Sequence, residues 1–120
     1  MTRIVALVFA MLALLSPAGA TDQVSIMAAG HDGSTTITAG GTAQTLFSGT
    51  VPANGYLVAN PNATDDCWVS DTATAAANAA GSHRVAANGG EYRTPLGYRP
   101  VQAVSVVCAA TGDKITAIWW

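Results

Sequence analysis

Short apolar or Thr-rich runs broken by turn residues fill the chain from Val24 onward. Residues 24–29 lead into Gly30-His31-Asp32-Gly33, residues 35–38 into Gly40-Gly41, and residues 44–48 into Pro52-Ala53-Asn54-Gly55. Residues 56–59 end at Asn60-Pro61-Asn62, residues 67–70 at an Ala-rich stretch, and residues 83–87 at Asn88-Gly89-Gly90. Residues 101–109 end at Thr111-Gly112-Asp113, and residues 115–119 form the last run. β-Branched runs with turn signals at this spacing predict a sandwich or barrel. No long helical period separates the runs, which argues against a parallel α/β sheet. The expected fold is all-β: an antiparallel β-sandwich, jelly-roll-like or Ig-like, of about seven to nine short strands.

The clearest strand signal covers residues 101–109. Val104, Val106 and Cys108 share one face; Val101, Ala103, Ser105 and Val107 share the other. Both faces are largely apolar, so a central strand covered on both sides is expected. The last run alternates Ile115, Ala117 and Trp119 against Thr116, Ile118 and Trp120. Residues 110–113 suit a hairpin loop with Gly112 in a left-handed conformation. Residues 72–80 are rich in alanine, which favours helix intrinsically. They hold no large apolar side chain to dock a helix, so they read as an exposed loop, a natural place for a binding surface.

Residues 1–20 break the pattern. Arg3 precedes an unbroken apolar run over residues 4–15, Ser16-Pro17 ends it, and Ala18-Gly19-Ala20 reads as a cleavage site. This is the layout of a signal-peptide helix, too short to span a bilayer. It predicts a secreted or periplasmic mature domain over residues 21–120, with no stable membrane insertion after cleavage. Translation from Met27 is the alternative, and gives a cytoplasmic or virion protein. Hydrophobic residues make up 50% of the chain and charged residues 10%, against roughly 25% charged in an average soluble domain. The net charge of −2 argues against nucleic-acid binding, which needs a basic patch.

Little in the residues suggests catalysis. Neither His31 nor His83 has a nucleophile and an orienting acid in a recognisable motif, and no GxSxG elbow occurs. Ser82 and His83, if on a strand, face opposite ways. Asp65, Asp66 and Asp71 lack the spacing of a calcium loop and read as turn and strand-end residues. No metal site and no cofactor are expected. Cys67 shares a face with Val69, and Cys108 with Val104 and Val106, so both point inward. They are either a disulfide, as an oxidising compartment allows, or two separate buried thiols. Asn62-Ala63-Thr64 matches a glycosylation sequon. Trp68 is out of phase with Cys67 and Val69 and faces outward, which favours a contact surface. Tyr92 and Tyr98 lie in an irregular connection before residues 101–109. Trp68, Tyr92, Tyr98 and Trp120 are the candidate binding residues.

Several stretches resemble small virion-associated proteins of tailed bacteriophages and prophages. They are residues 37–47 (ITAGGTAQTLF), 58–64 (VANPNAT), 67–71 (CWVSD) and the Ala- and Asn-rich residues 73–80, then residues 84–90, 95–100, 103–106 and 111–117. The similarity spans most of residues 33–120 and consists mainly of turns and strand patterns. The resemblance implies a non-enzymatic β-sandwich that decorates a particle, forms a fibre or serves as a minor head component, with a protein partner or self-association. The leader departs from that pattern, since phage heads assemble in the cytoplasm. A secreted or periplasmic binding module, with carbohydrate as the ligand and exposed aromatics as the contacts, is the second expectation.

Overall fold

The computed structural model describes residues 29–120; the expected signal peptide, the Met27 start and residues 24–28 of the first run lie outside them. Among the described residues nine strands form: β1 (His31–Asp32), β2 (Thr35–Thr36), β3 (Gln44–Thr45), β4 (Tyr56–Asn60), β5 (Cys67–Ser70), β6 (His83–Val85), β7 (Gly90–Arg93), β8 (Ser105–Cys108) and β9 (Lys114–Trp119). A single 3-10 turn covers Phe47–Gly49. One sheet has the order β1-β9-β4-β7, with β2 also on β9, and the other β3-β8-β5-β6. All pairs are antiparallel.

β1 and β2 are one strand with a kink. His31 pairs with Trp119, Asp32 with Ile118, Thr35 with Ile115 and Thr36 with Lys114, so the offset never changes. Across the kink, the Gly33 amide donates to the Ala117 carbonyl, and Ser34 Oγ accepts the Ala117 N–H. Counting them together, the sheets run first-eighth-third-sixth and second-seventh-fourth-fifth. That is the double-sheet jelly roll.

Period-two alternation builds the core. Tyr56, Val58 and Asn60 of β4 and Ile115 and Ala117 of β9 face Val69 and Cys67 of β5, Val106 and Cys108 of β8, and Val85 of β6; all are buried. Each fully buried apolar side chain contributes roughly 1.5–3 kcal/mol, so Ile115→Ala is expected to cost about 2–5 kcal/mol. β8, flanked by β3 and β5, is buried at all four positions, as two apolar faces require.

Asn60 is one of several buried polar residues, and it is fully satisfied. Its amide donates to the Asp65 and Val85 carbonyls, and its Oδ1 accepts from the Asn62 backbone and side chain. Asn62 in turn donates to the Lys114 carbonyl and accepts the Lys114 N–H. The sequon asparagine is therefore a tie between the β4–β5 loop and β9.

Cys67 and Cys108 form a disulfide, with Cα atoms 4.2 Å apart. They are direct cross-strand partners on β5 and β8, at the close spacing of antiparallel neighbours. A buried disulfide fits an oxidising compartment. Among the described residues no helix is long and apolar enough to cross a membrane. Cys67, Cys108 and the buried Asp113 also cluster within ligand distance of one another, but the disulfide occupies both sulfurs.

Four expectations need correction. Only residues 105–108 of the 101–109 run are strand, and Val101 is 80% exposed; the bends after Pro100 keep it off the sheet. The run at residues 44–48 stops as a strand at Thr45, because Phe47 and Ser48 turn to positive φ. The connection containing Tyr92 is strand β7, and His31-Asp32 is strand β1 rather than a turn.

Candidate functional site

The jelly roll sorts its connections by length. Residues 37–43, 61–66, 86–89 and 109–113 turn at one end of the sandwich. Residues 46–55, 71–82 and 94–104 form the loops at the other. The disulfide, Asn62 and Asp113 sit at the short-turn end, and most of the reactive or aromatic side chains gather at the long-loop end. Loops on a rigid scaffold are where binding groups concentrate.

On the β6–β7 side of that end, aromatic rings close the gap between the sheets. His83 stacks on Tyr92 with centroids 4.3 Å apart, and Tyr92 leans on Tyr56 at 5.9 Å. Behind them Asp71 is buried, and its Oδ2 accepts the Tyr56 hydroxyl at 2.8 Å. The Tyr98 hydroxyl lies beside the same carboxylate. Burial, then the hydrogen bond and charge of Asp71, push the Tyr56 pKa up. Burial and the Asp71 charge raise Tyr92 as well, and burial and Asp71 raise Tyr98. The tyrosines are thus held as neutral hydroxyls. Beside Tyr98, Leu96 is 70% exposed.

Trp120 is at the same end. Its amide donates to the Gly55 carbonyl and its carbonyl accepts the Asn54 N–H. Gly55 is needed there: its φ is +124°, and a Cβ would lie 2.8 Å from Thr94 Oγ1 and 3.2 Å from Trp120 Nε1. That Nε1 is buried without a hydrogen-bond partner among the described residues. Three of the four expected binding residues, Tyr92, Tyr98 and Trp120, therefore share one end. Trp68 lies elsewhere, on the outer face of the second sheet between Val107 and Arg84. Its phase is as expected, with Cys67 and Val69 fully buried, but it is only half-exposed. Residues 72–80 are a loop without helix, tied down rather than free. Ser70 and Ser105 hydroxyls hold the backbone of Thr72, Ala73 and Ala75, and Ala75 is buried.

On the opposite side of the long-loop end, between the β1–β2 kink and residues 45–50, a cleft of about 380 Å³ opens. Trp119 forms its aromatic wall and stacks on His31, with centroids 4.5 Å apart. Asp32, Ser34, Thr35, Thr45, Ser48 and Thr50 supply polar groups. Asp32 Oδ1 accepts the Ser34 N–H, which holds its carboxyl below the usual range. Phe47 and Ser48 take φ of +55° and +52°, a conformation that costs non-glycine residues roughly 1–3 kcal/mol each and concentrates at ligand sites. Gly33 makes room for the Phe47 ring, since a Cβ there would lie 2.2 Å from Cδ1. Sequence reasoning missed Trp119, His31 and Asp32. The alternation put Trp119 on the face of Ile115 and Ala117, but nothing in it showed that the sandwich opens at that point.

The three acidic residues once weighed for calcium are separated by their partners. Asp66 pairs with Arg84 and accepts the Ala87 N–H, Asp71 pairs with Tyr56, and the Asp65 carboxylate meets the Thr64 hydroxyl. No protein-family profile, curated protein or solved structure matches this chain.

Proposed function

We propose that this jelly roll is a non-enzymatic structural and interaction module of the kind the virion-protein resemblance implies, associating with further copies of itself through the loop of residues 94–104. One observation carries this reading: Leu96 and Val101 are 70% and 80% exposed on that loop, which also carries the half-buried Tyr98. Exposed apolar side chains grouped with an aromatic favour a contact surface. The loop stays in place because Gly97 donates to the Asn54 carbonyl and Thr94 to the Tyr56 carbonyl. Such a surface is presented rather than formed on contact, which lowers the ordering cost of association.

Sedimentation velocity over a concentration series tests it. Wild type is expected to self-associate reversibly, and Leu96→Ser/Val101→Ser to weaken association about tenfold or more while melting at the same temperature. A wild-type chain that stays monomeric, or a variant that associates as well as wild type, refutes the assignment.

The second reading is a secreted or periplasmic module that binds a small ligand. The disulfide favours export to an oxidising compartment, and the cleft beside Trp119 favours a ligand.

A further inference from the structure

We propose that the cleft walled by Trp119 and residues 32–35 and 45–50 is a binding site for a neutral saccharide. The inference rests on the small-ligand reading and is independent of self-association.

Volume comes first. The cleft, about 380 Å³, lies at the lower end of the range for small-ligand sites, roughly 300–1,000 Å³. Its chemistry narrows the class. Hydroxyl-bearing Ser34, Thr35, Thr45, Ser48 and Thr50 line it, and such groups both donate and accept. A ligand that also does both, at many points, suits them best. Trp119 adds an aromatic wall for the apolar C–H surface of a pyranose ring. Its ring is fixed by His31 on the neighbouring strand, so little ordering cost falls on binding.

Charge excludes the acidic alternatives. Asp32 is the one charged residue of the lining. Its Oδ1 accepts the Ser34 N–H, which fixes the carboxylate at the cleft, where it can accept from a ligand hydroxyl. A phosphate or a uronic acid would meet this carboxylate and no cation.

The backbone supplies an independent sign. Phe47 and Ser48, consecutive non-glycine residues at positive φ, form one wall. The opposite wall carries Gly33, which alone leaves space for the Phe47 ring. The kink between β1 and β2 and the turn after β3 are thereby shaped around the same opening.

Amide chemical-shift mapping on the full chain tests the proposal. The probes are methyl glucoside, galactoside and mannoside, their disaccharides, and glucuronic acid as the charged control. The Leu96→Ser/Val101→Ser background removes the contribution of self-association, so failure here leaves that reading untouched. Neutral sugars are expected to shift residues 32–35, 45–50 and the Trp119 indole in a saturable way. Asp32→Asn, at an exposed position, is expected to weaken binding about tenfold, the loss of one charge-assisted hydrogen bond. Gly33→Ala, which drives a methyl into Phe47, is expected to abolish it; a matched circular dichroism spectrum keeps that result distinct from unfolding. No saturable shift with any neutral sugar at millimolar concentration overturns the proposal. So do shifts confined to Tyr92 and Tyr98, preference for glucuronic acid, or an Asp32→Asn variant that binds as wild type does.

Discussion

Tyr56→Phe removes one oxygen atom and leaves the ring in the core. That oxygen donates a 2.8 Å hydrogen bond to Asp71, and both residues are buried. A hydrogen bond to a charged group contributes about 1.5–3 kcal/mol. Tyr98 still stands beside Asp71 in the variant, so the loss falls short of the roughly 3–5 kcal/mol of an orphaned buried charge. The expected cost is about 2 kcal/mol near neutral pH. The alkaline limb gives a second readout. The pKa of Tyr56 is raised, by burial and by Asp71. Above about pH 10 the unfolded chain loses this proton while the folded chain keeps it. The unfolded state then binds fewer protons, and stability falls with pH by up to about 1.4 kcal/mol per unit for this group. The variant lacks that group and should lose stability less steeply. Tyr92 and Tyr98 keep their own smaller, solvent-screened shares. Urea unfolding followed by circular dichroism, from neutral to about pH 11, measures both quantities. A variant as stable as wild type near neutrality, with an equal alkaline slope, refutes the pairing of Tyr56 with Asp71.

Replacing both cysteines by alanine should cost about 4 kcal/mol by the loop-entropy estimate for a 41-residue separation; an unchanged melting temperature, or two alkylatable thiols in exported wild type, contradicts the bridge. Asn62, whose side-chain amide is engaged by Asn60 and Lys114, should stay unglycosylated in a glycosylating host by mass spectrometry, and Asn62→Ala should destabilise by about 1–3 kcal/mol. The Asp66 carboxyl is held low, first by the Ala87 N–H and then by Arg84. Its contribution is present above the unfolded value of about 3.9 and disappears as pH falls through the lower folded value. Asp66→Asn should therefore flatten the acid limb of a thermal-melt series, and an unaltered limb counts against it.

Strand phase was the legible part of this chain. Cys67, Val69, Val106, Cys108, Ile115 and Ala117 all face the core as their alternation requires. The ends of strands were less legible, for a physical reason at each. Val101 continues an apolar run but follows Pro100 into bends, so hydrophobicity there marks surface and not core. Phe47 extends the β3 pattern, yet its positive φ depends on Gly33, fourteen positions earlier and in the other sheet. β7 contains Gly90, Glu91 and Arg93, poor strand formers by propensity. It is a strand because β4 pairs with it from Leu57 to Asn60. Of the binding candidates, Tyr92 and Tyr98 were visible as aromatics in a Gly-rich stretch. The link from Tyr92 through Tyr56 to Asp71 was not, since it joins β7 and β4 to the end of β5 in the other sheet.

The two ends of the sandwich differ in how they are held. At the short-turn end the disulfide locks β5 to β8 within one sheet, Asn60 bonds from β4 across to the Val85 carbonyl of β6, Asn62 holds Lys114, and the Ala110 N–H bonds to Asp113 in the β8–β9 turn. At the other end lie the left-handed Phe47-Ser48 pair, the unpartnered Trp120 Nε1 and the exposed Leu96 and Val101. Each of these features costs free energy in the isolated domain, and none is needed to close the jelly roll. A strain of roughly 1–3 kcal/mol per residue is sizeable against the 5–15 kcal/mol that holds a domain folded. The cross-link at the opposite end offsets about as much as one such pair costs. Removing the disulfide should accordingly lower global stability while leaving the long-loop end in its native shape up to the unfolding transition, because no bond of that end passes through Cys67 or Cys108. Hydrogen exchange on the Cys67→Ala/Cys108→Ala variant tests the separation. Uniformly faster exchange with an unshifted Trp119 indole resonance is expected. Selective opening of residues 45–50 would mean that the disulfide supports the cleft directly, and that the two ends are one cooperative unit.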